Sequence, residues 1–215
     1  MKDVFGKALL DYQNGISTGS LPENIITSTS ISDEDELPLA YLFRSFKEMP
    51  KLEQKALKLV KGKVLDVGCG SGSHSLYLQD KGIEIKAIDI SEGAIEVTKR
   101  RGVKHGEVLN VLDETESFDT ILLLMNGTGI FQELKNVSTY LKHLKSLLNS
   151  GGQILIDSSD IKYMYEDGDG GIWQDANNAY YGELDYFLSY KGEKEQPMKW
   201  LYLDFNTLQT ACNSV

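Results

Sequence analysis

Cysteine is nearly absent from this chain: 2 in 215 residues, Cys69 and Cys212. Two thiols so far apart build neither a disulfide framework nor a cysteine-rich metal site, so no metal is expected. Positive charge is also short. There are 22 Lys and Arg against 32 Asp and Glu, a net charge of −10. Phosphate backbones are held by clustered Lys and Arg, so nucleic acid is not the default partner. Nor does an acidic surface favour an anionic membrane. No apolar run reaches membrane-spanning length, and Met1-Lys-Asp-Val-Phe5 does not read as the start of a signal peptide. The expectation is a soluble, cytoplasmic protein with neither nucleic-acid nor membrane partner. The chain is too short for two full domains with a linker, but long enough for one α/β domain with decoration.

What is present centres on Val64-Leu-Asp-Val-Gly-Cys-Gly-Ser-Gly-Ser73. Val64, Leu65 and Val67 read as a short strand buried on both faces. Gly68, Gly70 and Gly72 follow at alternate positions, where glycine permits positive φ and lets a ligand approach the main chain. Ser73 opens a helical pattern, so the loop amides and a helix N-terminus point at whatever lies above.

The spacing separates two ligand classes. A dinucleotide fingerprint places its third glycine five residues after the first; here position 73 is serine and the third glycine comes at +4. Asp66, near the strand's end, would repel a pyrophosphate but can accept bonds from an ammonium group. This stretch resembles motif I of the class I methyltransferases that use S-adenosylmethionine (SAM). The resemblance covers about residues 52–160 and rests on Asp66, the alternating glycines and a second acid, Asp89, at the end of the next strand. It implies a doubly wound, mostly parallel α/β sheet of Rossmann-like methyltransferase type, and SAM as cofactor. The implied cofactor contacts are Asp66, the loop Gly68, Cys69, Gly70 and Gly72, then Asp89 on the ribose hydroxyls and Ile90 against adenine. Asn110 or Asp113 is placed for the adenine amino group; many resembling families carry Asp at the first of these. Asn126 is a candidate for the methionine moiety or the substrate, with a simple Asn-Gly turn as the alternative.

In chain order, residues 1–14 predict a short amphipathic helix. Residues 15–36 read as a polar loop or mobile arm, either a lid over the ligands or a solvated tail. Residues 37–46 predict a helix after Pro38, in which Tyr41 and Arg44 are substrate contacts or, more plainly, a core aromatic and a surface charge. A further helix begins at Pro50 and stops at Gly62. Strands are expected at Ile83–Ile90, Glu107–Leu112, Phe118–Met125 and Gln153–Asp157. Helices are expected from Ser91 to Arg101 and over Leu134–Leu148, where apolar residues recur at spacings of three and four. His74, in the first turn after the glycine loop, is a candidate base or an ordinary helix residue, and no catalytic residue is assigned.

The remainder departs from the common plan. Glu166-Asp-Gly-Asp-Gly-Gly171 lacks EF-hand spacing and reads as a loop. Tyr181–Tyr190 and Lys199–Phe205 predict an inserted hairpin with a charged tip, rich in aromatics that either enclose a substrate or cover core. A last helix is expected from Thr207, capped by Asn206. Methyltransferase sheets usually finish with two more strands at one edge. Either this hairpin takes that place or the chain lacks them, and its position before the last helix favours the second. The resulting division is an arm or lid over 1–46, a SAM-binding core over 47–160, a cover region over 161–205 and a helix over 206–215. The reading is a SAM-dependent methyltransferase with a small-molecule acceptor. A non-catalytic SAM-binding protein and a nicotinamide-dependent oxidoreductase are the alternatives.

Overall fold

The computed structural model describes residues 2–166 and 180–215. Helix α1 (Val4–Thr18) buries Val4, Ala8 and Leu9 and closes on Gly19 in the left-handed conformation. The polar stretch that follows is not a loop. Within residues 15–36, β1 (Ile25–Thr29) turns into β2 (Ser32–Leu37), and the two pair antiparallel. Ile25 is fully buried, while the acidic β2 stays exposed.

Helices α2 (Leu39–Leu42) and α3 (Lys51–Leu59) each start directly after a proline. They lead into β3 (Val64–Val67), buried at all four positions as a strand covered on both faces must be. Next come α4 (Ser73–Asp80), β4 (Ile85–Asp89) and α5 (Glu92–Arg100). Ser91 caps α5 by accepting the N–H of Ala94, and Lys99 and Arg100 lie at its C-terminal end, where the helix dipole favours them. Strand β5 (Gly106–Val108) is shorter than the expected Glu107–Leu112. Asn110 ends it by accepting the N–H of Leu112, which starts a 3-10 turn at Val111–Asp113. Strand β6 (Phe118–Leu123), a 3-10 turn at Gly127–Phe131, α6 (Val137–Ser146) and β7 (Leu148–Ile156) complete the first layer set.

These strands form a parallel sheet in the order β5-β4-β3-β6-β7. Its pairings sort the faces. Val64, Ile85, Leu122 and Leu155 share one face and pack with Leu57 of α3 and Leu78 of α4. Leu65, Val67, Ile88, Ile121 and Leu123 share the other and pack on Tyr140, Leu141 and Leu144 of α6. Helices on both faces make the sheet doubly wound, as expected.

Strands β8 (Glu183–Tyr190), β9 (Glu193–Lys194) and β10 (Met198–Leu201) follow, then α7 (Phe205–Asn213). The predicted C-terminal hairpin is present as β8 and β10, but it does not extend the parallel sheet. It joins β1 and β2 in a second, antiparallel sheet ordered β10-β8-β1-β2, with β9 beside β8. Among the described residues, β7 therefore remains an edge of the parallel sheet. Helix α7 is capped by Asp204, which accepts the N–H of Thr207, and not by Asn206, which lies inside the helix. Residues 167–171 of the acidic glycine run fall outside the described residues.

Candidate functional site

The glycines between β3 and α4 each take positive φ: 70° at Gly68, 54° at Gly70 and 79° at Gly72. They serve different ends. A Cβ at Gly72 would stand 2.9 Å from Thr98 Oγ1, so this glycine permits helix packing. A Cβ at Gly68 would meet nothing within 4 Å, so the backbone there faces open space. The loop is tied to β4, because the N–H groups of Gly68 and Cys69 both reach the carbonyl of Ile88. Cys69 is buried beside Thr98; burial, with the charges of Asp89 and Asp66, pushes its thiol well up and leaves it a packing group.

Pairing of Asp66 with Ala87 places Asp66 and Asp89 on one face, because side chains alternate along a strand. Leu122 pairs with both Asp66 and Leu155, so Asp157, two residues beyond Leu155, continues the same face past the end of β7. Asp66 is buried and accepts the hydroxyl of Ser75 at 2.6 Å. Asp89 accepts the N–H of Gly70 and of Ser91, each at 2.9 Å. Burial raises the proton affinity of both carboxyls, and the charges of Asp3 and Asp66 push Asp89 the same way.

Beyond Asp89, Ile90 is 71% exposed, an apolar surface left open at the strand tip. Asn110 and Asp113 stand at the two ends of the 3-10 turn after β5, and Asn110 uses its side-chain oxygen on Leu112. Asn126 takes a left-handed conformation, as does Met125 before it. Its amide nitrogen donates to the carbonyl of Leu201 at 3.2 Å, so this side chain is turned toward the second sheet. Asp157 accepts the N–H of Gly127 at 3.1 Å and so braces the turn. Trp200 packs on that turn closely enough that a Cβ at Gly129 would collide with its ring, and Tyr186 lies beside Trp200, their centroids 5.5 Å apart.

Two readings of residues before the glycine loop are corrected. Arg44 is no surface charge: it is 6% exposed and donates to both carboxylate oxygens of Glu53 at 2.5 and 2.6 Å. Tyr41 is no core aromatic: it is 39% exposed and lies against the Arg44 guanidinium. Glu53 also meets His74 Nε2 at 2.7 Å, which commits that ring nitrogen and favours the plainer reading of His74. Burial raises the Glu53 carboxyl, but the bonds from His74 and Arg44 outweigh it and hold it below its usual range. Arg101, at the end of α5, reaches the carbonyl and hydroxyl of Ser71, and the hydroxyls of Ser71 and Ser73 both donate to Leu42. The segment before α3 is thereby fastened to the glycine loop. Sequence reasoning missed Glu53, Asp157 and Arg101, since each acts on residues distant in the chain and none sits in a local pattern.

Residues 40–210 match a family model described as a methyltransferase domain. A solved SAM-dependent methyltransferase from Bacteroides fragilis, in complex with S-adenosyl-L-homocysteine, is 43% identical with a TM-score of 0.90, over 99% of this chain and 86% of that one. A probable cobalt-precorrin-6B C(15)-methyltransferase (decarboxylating) from Saccharolobus solfataricus is 29% identical over 64% of this chain and 68% of its own length. A malonyl-[acyl-carrier protein] O-methyltransferase from Serratia marcescens is 25% identical over 53% of this chain. The chain matches only 44% of the length of this last relative.

Proposed function

The chain belongs to the methyltransferase-domain family, and from that premise we propose that it transfers a methyl group from SAM to a small-molecule acceptor. The observation that carries the cofactor half is the pair Asp66 and Asp89 on one face, with the open backbone of Gly68 between their strands' ends. The solved relative from Bacteroides fragilis, with S-adenosyl-L-homocysteine bound and spanning nearly the whole chain, supports the same reading.

The residues present fit such a ligand. Gly68 and Gly70 leave the main chain bare on either side of Cys69, so that a ligand can approach the loop backbone. Asp66 lies under the loop as an acceptor for the amino group, directly or through water. Asp89 presents a carboxylate to the ribose hydroxyls, and its negative charge selects against a 2′-phosphate. Ile90 covers one face of the adenine, and Asn110 or Asp113 meets its amino group. The Met125–Gly127 turn, which contains Asn126, stands at the methionine end. The chemistry such a cofactor supplies is an activated methyl on a sulfonium, displaced in line by the acceptor. What the protein contributes is placement of the acceptor atom opposite the leaving sulfur. No side chain is assigned as base.

The acceptor half rests on charge and surface. The net charge of −10 disfavours a polyanion. Trp200 and Tyr186 bring aromatic surface up to the turn after β6, a setting for a small organic group. Residues 15–46 and 160–205 carry acceptor specificity in this reading. The experiment is transfer of labelled methyl from SAM into a fractionated cell extract. Label in the low-mass fraction is expected; label in RNA or protein alone would overturn the small-molecule acceptor, and label in none would favour a non-catalytic SAM-binding protein.

A further inference from the structure

Helix α1 lies outside the glycine motif, yet its N-terminal end reaches both the start of α5 and the glycine loop. Asp3 caps α1 by accepting the N–H of Gly6 at 2.8 Å. The same carboxylate accepts the Ser91 hydroxyl at 2.8 and 2.9 Å and the N–H of Gly93 at 2.8 Å. One side chain therefore serves the first turns of α1 and α5 together. Ser91 then donates its own N–H to Asp89, and Asp89 accepts from Gly70. Asp3, Ser91, Asp89 and Gly70 form one unbroken line of hydrogen bonds ending in the glycine loop.

Close approach fixes this line. A Cβ on Gly93 would stand 2.6 Å from the Gly6 backbone, so the two helices meet main chain to main chain. The far side of α1 is held as well: Val4 donates its N–H to Glu195 at 2.7 Å, Lys7 pairs with Glu193, and Asp11 accepts from Tyr190 and Lys191. The result is that the Phe5 ring comes within 3.9 Å of the place a Cβ on Gly70 would occupy.

The geometry points to α1 as a wall of the cofactor site, with Asp3 the positioning residue that seats Phe5 beside the glycine loop and fixes Asp89 through Ser91. This rests on the SAM-binding reading above. A helix cap needs only the bond to Gly6; the bonds to Ser91 and Gly93 add nothing to α1 itself and make the position of Asp89 depend on the N-terminus. Asp3 also brings a second negative charge near Asp89. The charged or titratable groups facing Asp89 are Asp3 from α1, Asp66 from β3 and the Cys69 thiol of the loop, and its bonded donors are the N–H groups of Gly70 and Ser91.

The test is calorimetric titration of the full chain with S-adenosyl-L-homocysteine, for wild type, Asp3→Asn, Asp3→Ala and Phe5→Ala, with thermal melts alongside. Phe5→Ala keeps the Asp3 bonds; because Phe5 also packs on the cluster of Val4, Ala8 and Leu9, the variant should melt below wild type yet stay folded at the titration temperature, while its dissociation constant rises roughly tenfold, about what loss of one partly buried ring contact gives. Asp3→Ala should weaken binding at least as much. Wild-type affinity should fall as pH drops through the titration of Asp89, and Asp3→Asn should move that fall to lower pH by removing a like charge. Folded Phe5→Ala and Asp3→Asn with wild-type affinity and pH midpoint would overturn this inference alone. If Asp3→Ala does not fold, Phe5→Ala decides. A wild-type chain that does not bind the ligand would overturn the cofactor reading and this inference with it.

Discussion

Asp66 and Asp89 stand on the same face of the parallel sheet, on adjacent strands, with Asp89 two residues beyond the partner of Asp66. Each is held by donors from the glycine loop or the helix after it: Ser75 for Asp66, Gly70 for Asp89. Burial raises the proton affinity of both carboxyls, and the charge of Asp66 raises that of Asp89 further, an arrangement that favours ligand recognition at a cost in stability.

That cost is measurable at Asp66. Burial raises its folded-state pKa, so the folded protein binds more protons than the unfolded chain between the two values, and stability from this group rises as pH falls through the folded one. Asp66→Asn removes the buried charge at nearly constant shape. Its melting temperature at neutral pH should equal or exceed that of wild type, while affinity for S-adenosyl-L-homocysteine falls. Differential scanning calorimetry and a ligand titration read the two effects separately. A lower melting temperature would contradict the electrostatic account.

In the proposed site, Asp89→Ala removes a charged acceptor from the ribose end, and it frees the N–H of Gly70. Hydrogen bonds to a charged group are worth about 1.5–3 kcal/mol, so the dissociation constant for S-adenosyl-L-homocysteine should rise on the order of 10- to 100-fold. A change under twofold in a folded variant would remove Asp89 from the site.

Gly68 and Gly72 should respond differently to alanine. Both have positive φ, which strains any replacement by about 1 kcal/mol. Only at Gly72 does the added methyl also meet Thr98. Gly72→Ala should therefore lose more stability in urea unfolding, whereas Gly68→Ala, whose methyl enters the open space, should lose ligand affinity at a smaller cost in stability.

Much of this was legible in the chain, and the rest was hidden for physical reasons. Val64–Ser73 declares itself because a buried strand, a glycine loop and a helix start are all local patterns. The doubly wound, mostly parallel character of the sheet follows from repetition of that strand-and-helix unit. The β1–β2 hairpin was not legible: Ser32-Asp-Glu-Asp-Glu-Leu37 shows no apolar alternation, and β1 owes its place to β8, some 160 residues away. Arg44, Glu53 and His74 look ordinary one at a time, since their bond network spans three separate elements. Asp3 drew no reading from the sequence, since its bonds to Ser91 and Gly93 depend on how two helices cross.

The Arg44–Glu53–His74 cluster predicts behaviour in acid. With the Glu53 pKa held below its unfolded value by the bonds from His74 and Arg44, its contribution is complete above the unfolded value and is lost as pH falls through the folded one. Glu53→Gln strands the buried Arg44 guanidinium and should cost about 3–5 kcal/mol at neutral pH. Urea unfolding of wild type and variant between pH 7 and pH 3 should show the gap narrowing only at the acid end. A constant gap would contradict the ion-pair origin of the effect.

In the function proposed above, Asp66, Asp89 and the glycines between them hold an adenosyl amino acid and not a dinucleotide. Parallel calorimetric titrations of the full chain with S-adenosyl-L-homocysteine and with NAD test it most directly. Saturable binding of S-adenosyl-L-homocysteine, weakened by Asp89→Ala, is expected, with no heat of binding for NAD. Saturable binding of NAD with none of S-adenosyl-L-homocysteine would contradict it.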